Sequence, residues 1–365
     1  MKPFLTKLTL RGFKTIRELT DFNPGRLTIL IGPNGAGKSN LISFFTLLSN
    51  MVADGLTLYV AQQGGASLLL YDGPPTTREI DVALEFETER GSTKYGFRLA
   101  FAGGDALVVA GEWVAGTVDS TDSFAAEKGH RESILTATAV PLNEPARLVV
   151  DVLRGLIVYQ FDNTSPQARI RTKWSPDDGL SLKSDGGNLA SFLYRLQIYA
   201  PECYRRITET LRLVLPFFSR FELQPEQDYL LLRWRELGSD RVFSASQAGD
   251  GMLRIMALVA LLQQPEKDLP GILILDEPEL GLHPYALEML SALIQSASQY
   301  CQIIIATQSV SLIDRFEPHD IVVTERSGRE SKFRRLSDSE LSEWLEEYTL
   351  SELWEKNVLG GRPSR

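Results

Sequence analysis

Eight residues, GPNGAGKS at Gly32–Ser39, have the types and spacing to hold a polyphosphate. They fit the pattern GxxxxGK followed by Ser or Thr. In it the glycines turn successive backbone N–H groups inward and the lysine reaches the β- and γ-phosphates. Lys38 has that position here, and Ser39 is the hydroxyl that ligates Mg²⁺. The flanks are the ones such a loop requires. A strand-like run, RLTILI, leads into it, and KSNLISFFTLLSN follows at helical spacing, offering the positive end of a helix to an anion. A Gly-rich strand–helix turn that carried Lys-Ser by chance would need neither flank.

The complementary chemistry is in ILILDEPE. Four apolar residues make a short strand buried on both faces, and the acids come at its end. Asp276 stands where a carboxylate can hold Mg²⁺ through water, and Glu277 beside it is the natural base for an attacking water. Paired acids at a strand end are otherwise only a solvated turn; a phosphate loop upstream makes them half of an ATP site. Other constellations are poor. His130 and His319 have no partners at metal-ligand spacing, His283 reads as a packing or capping residue, and DGGN (185–188) reads as a helix cap. No Ser/His/Asp or Cys/His arrangement stands out.

These groups need elements to position them. Residues 4–11 and 26–31 read as strands. Ile80, Val82, Leu84 and Phe86 alternate with polar residues or alanine, as do Tyr95, Phe97, Leu99 and Phe101, so an antiparallel sheet is expected over 79–113. Residues 115–147, rich in Gly, Ser, Thr, Asp and Glu, read as a loop or linker. GLIVYQF is a further strand, 188–215 two helices parted at Pro201, and SRFEL and DYLLLRWREL strands. A helix follows Pro284, QIIIATQS and HDIVV are buried strands, and DSELSEWLEEY is an acidic amphipathic helix.

Composition narrows the class of function. The 365 residues carry a formal charge of −9 with 43% hydrophobic residues, which is ordinary for a globular protein. No apolar run approaches the roughly 20 residues that span a bilayer. The N-terminus alternates polar and apolar residues without the features of a signal peptide, and Cys203 and Cys301 read as free thiols of a cytoplasmic protein. The acidic balance does not favour binding nucleic acid through phosphates. Two clusters keep DNA open as a partner: Arg169, Arg171 and Lys173, and Lys332, Arg334 and Arg335.

At this point the chain resembles a known group, the ABC-type ATPases of the RecF/SMC/OLD kind, and is most similar to short bacterial ATPases of the AAA family (AAA_21-like). The resemblance rests on LRGFKTIRE, GPNGAGKSNLI, LDEPELGLHP and IIIATQS, with DGGNLASFLYRL and LWEKNVLGGRP specific to the subgroup. It implies an α/β fold: a P-loop head with a mainly parallel core sheet, an antiparallel β subdomain and a helical lobe. The segments are then 1–60 and 241–325 as the two halves of the head, 61–175 as a β-rich insertion, 176–240 as helical lobe and connecting strands, and 326–365 as a C-terminal strand and helix.

The resemblance also implies a homodimer that sandwiches ATP and Mg²⁺. The cis contacts fall on Gly32, Pro33, Asn34, Gly35, Ala36, Gly37, Lys38, Ser39 and Asn40. The signature loop that meets the partner's ATP is AGDGMLR, giving Gly249, Asp250 and Gly251. The family commonly has serine where Gly249 stands and threonine at Met252. It usually has histidine where Gln308 stands. Gln308 can still donate to a γ-phosphate but cannot take a proton, so a slow ATPase is expected. The family's metal-facing glutamine is expected in VAQQGGA, at Gln63 or Gln62, with Gln63 preferred. The implied role is a switch in DNA maintenance or in defence against mobile elements, with any nuclease or toxin effector on a separate chain. The alternatives are an ABC transporter ATPase subunit and an ATP sensor that does not hydrolyse. Against the transporter stands the long β-rich insertion between phosphate loop and signature.

Overall fold

Leu27–Ile31 is apolar at four of five positions and buried at all five, as a strand needs when helices and neighbours cover both of its faces. The computed structural model describes residues 3–53, 55–88, 91–116, 124–126, 129–136 and 142–360. In chain order the elements begin β1 (Phe4–Phe13), β2 (Ile16–Phe22), β3 (Leu27–Ile31), α1 (Lys38–Met51), α2 (Leu56–Gln62), β4 (Glu79–Thr88), β5 (Gly91–Ala102), β6 (Ala106–Gly116), β7 (Phe124–Ala126), α3 (Glu144–Arg154) and β8 (Leu156–Tyr159). They continue with α4 (Leu189–Tyr199), α5 (Pro201–Val214), β9 (Phe218–Phe221), β10 (Arg233–Glu236), β11 (Val242–Ser244), α6 (Asp250–Leu262), β12 (Ile272–Asp276), α7 (Pro284–Ser298), β13 (Gln302–Thr307), α8 (Val310–Ile313), β14 (Ile321–Ser327), β15 (Glu330–Arg335), α9 (Asp338–Leu345) and α10 (Leu350–Glu355).

The chain divides into two units: Met1–Val158 with Pro270–Ile274 and Gln302–Arg365, and Tyr159–Leu269 with Leu275–Cys301. The first unit holds an antiparallel sheet in the order β2-β1-β4-β5-β6-β7. The expected alternation appears there, with Ile80, Val82, Leu84 and Phe86 all buried. The same unit holds the core sheet, β15-β14-β3-β13-β12-β8, apart from the last residues of β12 and β8. β3 runs parallel to both β13 and β14, and β15 closes that edge antiparallel to β14. The α/β class with a parallel core sheet and an antiparallel subdomain is therefore as the sequence implied. α1 buries Leu41, Phe44, Phe45 and Leu48 in the core of this unit, and Phe13 meets Phe44 edge-on at 5.9 Å between ring centres.

Gln302, almost wholly buried, ties the two sheets together. Its Oε1 accepts from Leu5 N at 3.0 Å, while its Nε2 donates to Leu5 O at 2.9 Å and Gly25 O at 2.5 Å. Replacing it with leucine leaves these backbone groups unsatisfied, at roughly 1–3 kcal/mol for each one that is buried. Gln302→Leu is expected to cost about 3 kcal/mol or more in denaturant unfolding. A loss below about 1 kcal/mol would mean that water takes over these bonds.

The second unit contains the helical lobe and the three-stranded sheet β11-β10-β9. α4 stops at Tyr199, and Pro201 opens α5 from its first turn, where a missing N–H costs nothing. Trp234 of β10 is buried and stacks on Phe243 of β11. α5 packs on β9 and α6, and α6 packs on α7.

Three sequence expectations need correction. DYLLLRWREL is a strand only at Arg233–Glu236; Leu230 makes an isolated bridge to Trp174. Residues 115–147 lie partly outside the described residues, and the rest is not all loop: β7, an isolated bridge at His130 and the first turn of α3 fall within it. Asn143 caps α3, its Oδ1 accepting from Ala146 N at 3.0 Å, and Pro145 occupies the first turn. Asn188 is not a side-chain cap either. It is wholly buried and folds the preceding loop, donating to Asp178 O and to Ser181 O at 2.8 Å and accepting from Lys183 N at 2.8 Å.

Candidate functional site

In the first unit β3 delivers the chain into the loop Gly32–Gly37, and α1 begins at Lys38. Gly37 is the N-cap of α1 with φ 116°, a conformation closed to other residues, and a Cβ there would lie 2.0 Å from Ser331 Oγ. α1 has no side-chain cap and no acid in its first turn, so its positive end stays available to an anion. Lys38 is 5% exposed, and its Nζ donates to Gly32 O at 2.5 Å and Pro33 O at 3.2 Å, spanning the mouth of the loop. Asn34, Gly35 and Ser39 are exposed, whereas Ala36 is buried. Asn40 turns to the β1–β2 turn, its Nδ2 donating to Thr15 Oγ1 at 2.6 Å.

Gln308 belongs to this half. Thr307, the last residue of β13, is in register with Ile31, so exposed Gln308 leaves the sheet beside Gly32. Gln62 is exposed at the end of α2. Gln63 is engaged elsewhere: its Oε1 accepts from Lys14 Nζ at 3.0 Å, and the same ammonium donates to Ser43 Oγ at 2.7 Å. Burial lowers the Lys14 pKa below the ordinary lysine value. Lys14 is a second cation against α1, and no local pattern of residues singles it out.

The second unit holds the acids and the loop expected to serve as the signature. Asp276 ends β12, and Glu277 follows it with φ 46°, the left-handed region that glutamate rarely enters. A non-glycine residue held there stores roughly 1–3 kcal/mol of strain, a cost that persists only where the surroundings fix it, typically at functional sites. Asp276 Oδ2 accepts from Gln160 Nε2 at 2.7 Å. Gln160 directly follows β8, and by sequence alone it reads only as part of a strand. A strand ending in glutamine ahead of a helical lobe was the available signal.

Gly249 is the exposed N-cap of α6, with φ −69° and open space around the position of a Cβ. Gly251 packs against the loop after Glu277, where a Cβ would come within 2.5 Å of Gly281 O. Arg254 fastens the same loop, donating to Leu280 O at 2.8 Å, Phe161 O at 2.9 Å and Asp162 O at 2.9 Å. His283 caps α7 through Nδ1, which accepts from Tyr285 N at 3.4 Å, as the sequence reading had it.

The two basic clusters are engaged with the protein itself. Arg169 pairs with Asp185 and covers Trp174, Arg171 is bound to backbone carbonyls and Asp250, and Lys173 lies over Tyr229. Lys332 pairs with Glu330, Arg334 donates to Leu359 O, and Arg335 donates to His319 O and Asn23 O. Among the described residues no helix is long and apolar enough to cross a membrane. Nor does any group of three or more His, Cys, Asp or Glu gather as a ready metal centre. Mg²⁺ takes one or two protein oxygens and completes its shell with phosphate and water. Ser39 and Asp276 are oxygen donors of that kind.

A phosphate loop that follows a strand of a mainly parallel sheet and closes on a helix defines a P-loop nucleotide-binding fold. The chain belongs to the family described as "AAA domain, putative AbiEii toxin, Type IV TA system", whose sequence model matches residues 27–314. No curated protein matches it. Crystal structures of SMC heads share its fold. One, bound to the C-winged helix domain of ScpA, is 17% identical with a TM-score of 0.62 and covers 93% of this chain and 99% of its own. A second, from Pyrococcus furiosus, has an extended coiled coil and is bound to the C-terminal domain of ScpA. It is 16% identical with a TM-score of 0.60, covering 94% and 99%. A third, from Pyrococcus yayanosii with a coiled coil and joint, is 14% identical with a TM-score of 0.59 and the same coverage.

Proposed function

We propose that this chain binds Mg–ATP, hydrolyses it slowly, and closes as a homodimer around the nucleotide to act as a switch in DNA maintenance or anti-phage defence. The observation that carries the reading is Glu277, a glutamate kept in a strained backbone conformation directly after the acid that ends β12. Lys38 meets the β- and γ-phosphates, while backbone N–H groups of the loop and the end of α1 cradle them. Ser39 and Asp276 would hold Mg²⁺, which would offset the charge of the phosphates. Glu277 orients the attacking water and takes its proton, and Gln308 donates to the γ-phosphate. We assign the metal-facing glutamine to Gln160 rather than Gln63, because Gln160 is hydrogen-bonded to Asp276 and Gln63 to Lys14.

Gly249, Asp250 and the N-terminus of α6 face the partner's γ-phosphate. Support for a separate protein partner comes from the SMC heads, whose structures hold ScpA domains. Support for defence comes from the family description, which speaks of a toxin–antitoxin system. Phosphate release together with sedimentation, with and without Mg–ATP, tests the reading. ATP binding without turnover favours a sensor instead, a role consistent with the Gly249 and Gln308 departures.

Gly249→Ser tests the trans contact. Its φ is ordinary and a side chain there meets open space, so the fold should be unchanged, with a few tenths of a kcal/mol gained from the cap. The added hydroxyl should tighten ATP-dependent association by about tenfold, the lower end for a hydrogen bond to a charged group. A stable variant that no longer associates would show that the loop does not face nucleotide.

A further inference from the structure

We infer that Arg171 is a positioning residue for the signature loop: it sets the backbone before α6 and cancels the Asp250 charge, so that the loop can receive a second chain's triphosphate. The inference rests on the sandwich reading above. The Arg171 side chain is only 9% exposed, unusual for an arginine in a run that otherwise looks like solvated charge. Its Nε donates to Thr164 O at 2.9 Å, its Nη1 to Ala245 O and to Ala248 O at 3.1 Å, and its Nη2 to Asp250 Oδ1 at 3.0 Å.

Three of these four bonds end on the six residues Ala245–Asp250, which form the entry to α6. A planar guanidinium satisfies them together because its donors form a rigid fork; an ammonium cannot. Two consequences follow. The carbonyls of Ala245 and Ala248 are drawn inward to Arg171, which fixes the turn from which α6 and its first N–H groups emerge. Asp250, whose side chain is 62% exposed at the start of α6, would by itself place a negative charge where phosphate is to bind. Arg171 draws that carboxylate onto itself and balances it.

The link also reaches the other chemistry of this unit. Thr164, the acceptor for Nε, lies four residues beyond Gln160, and the intervening Phe161 and Asp162 carbonyls are held by Arg254 of α6. The segment leaving Gln160 is thus fastened at both ends to the signature helix and its loop.

The test uses the full chain carrying Glu277→Gln, with Mg–ATP, and reads the dimer constant by sedimentation beside nucleotide affinity at concentrations where the chain is monomeric. Arg171→Ala should weaken dimerisation at least tenfold and leave monomer ATP affinity within about twofold. Adding Asp250→Asn to it should restore part of the loss, at least threefold, since the uncancelled carboxylate is then gone. Arg171→Lys keeps the charge and should still weaken dimerisation at least fivefold; it carries the test should the alanine variant fail to fold. Folded Arg171 variants that dimerise as tightly as the parent would overturn the inference alone. A Glu277→Gln parent that stays monomeric with Mg–ATP would overturn the sandwich reading and the inference with it.

Discussion

Glu277→Gln is expected to lower phosphate release by about 10²–10⁴-fold while ATP binding survives. The substitution keeps size and hydrogen-bonding capacity but removes the carboxylate that can align and deprotonate water. It should also keep the fold, since glutamine bears the φ of 46° about as well as glutamate does. Lys38, Ser39 and Asp276 remain to hold the nucleotide. Unhydrolysed Mg–ATP should then hold two chains together, so sedimentation should show a dimer that wild-type protein forms only transiently. The double variant Lys38→Ala/Glu277→Gln should stay monomeric. Turnover at the wild-type rate, with no change of mass on adding Mg–ATP, would remove both the base and the sandwich.

Lys38→Ala should abolish turnover and weaken ATP binding by about 100-fold or more, in line with roughly 2–5 kcal/mol for truncating one partner of a buried charge pair. The ammonium is nearly buried and already collects the Gly32 and Pro33 carbonyls at the mouth of the loop. The other lysine near α1, Lys14, is committed to Ser43 and Gln63. Since alanine also frees two carbonyls of the loop, thermal unfolding of the variant separates lost binding from lost folding. Wild-type affinity in a folded Lys38→Ala variant would end the assignment of this loop to phosphate.

The phosphate loop and the acid-ending strand could be read from the sequence because each is a contiguous run whose chemistry dictates residue type position by position. The two helices parted at Pro201 were equally legible, since proline opens a helix and the apolar spacing flanks it. Contacts between distant segments were not. Arg171 looks like one of three solvated charges until its carbonyl partners arrive from 245 and 248, and nothing local separates Gln160 from any other polar residue at a strand end. α3 was lost for another reason: its start is embedded in a polar, Gly- and Ser-rich stretch whose composition outweighs the Asn-Glu-Pro that begins it. A strand within 326–365 was implied by the resemblance, but β15 is charged at Glu330, Lys332, Arg334 and Arg335, so its bounds and its place beside β14 come only from the pairing.

The position of β3 in its sheet sets a timetable for biosynthesis. Leu27 pairs with Ile303 and Ile29 with Ile321, so the strand that leads into the phosphate loop receives both neighbours from the far end of the sequence. While a ribosome is still adding residues 40 to 300, that strand has two open edges and the loop beyond it has no scaffold to hold its shape. Such long-range pairing is slow to form and leaves apolar strand edges exposed in the meantime. A nascent chain of this kind cannot set the shape of that loop until Gln302–Ser327 has emerged, and chaperones that shield apolar strands have that whole interval in which to act.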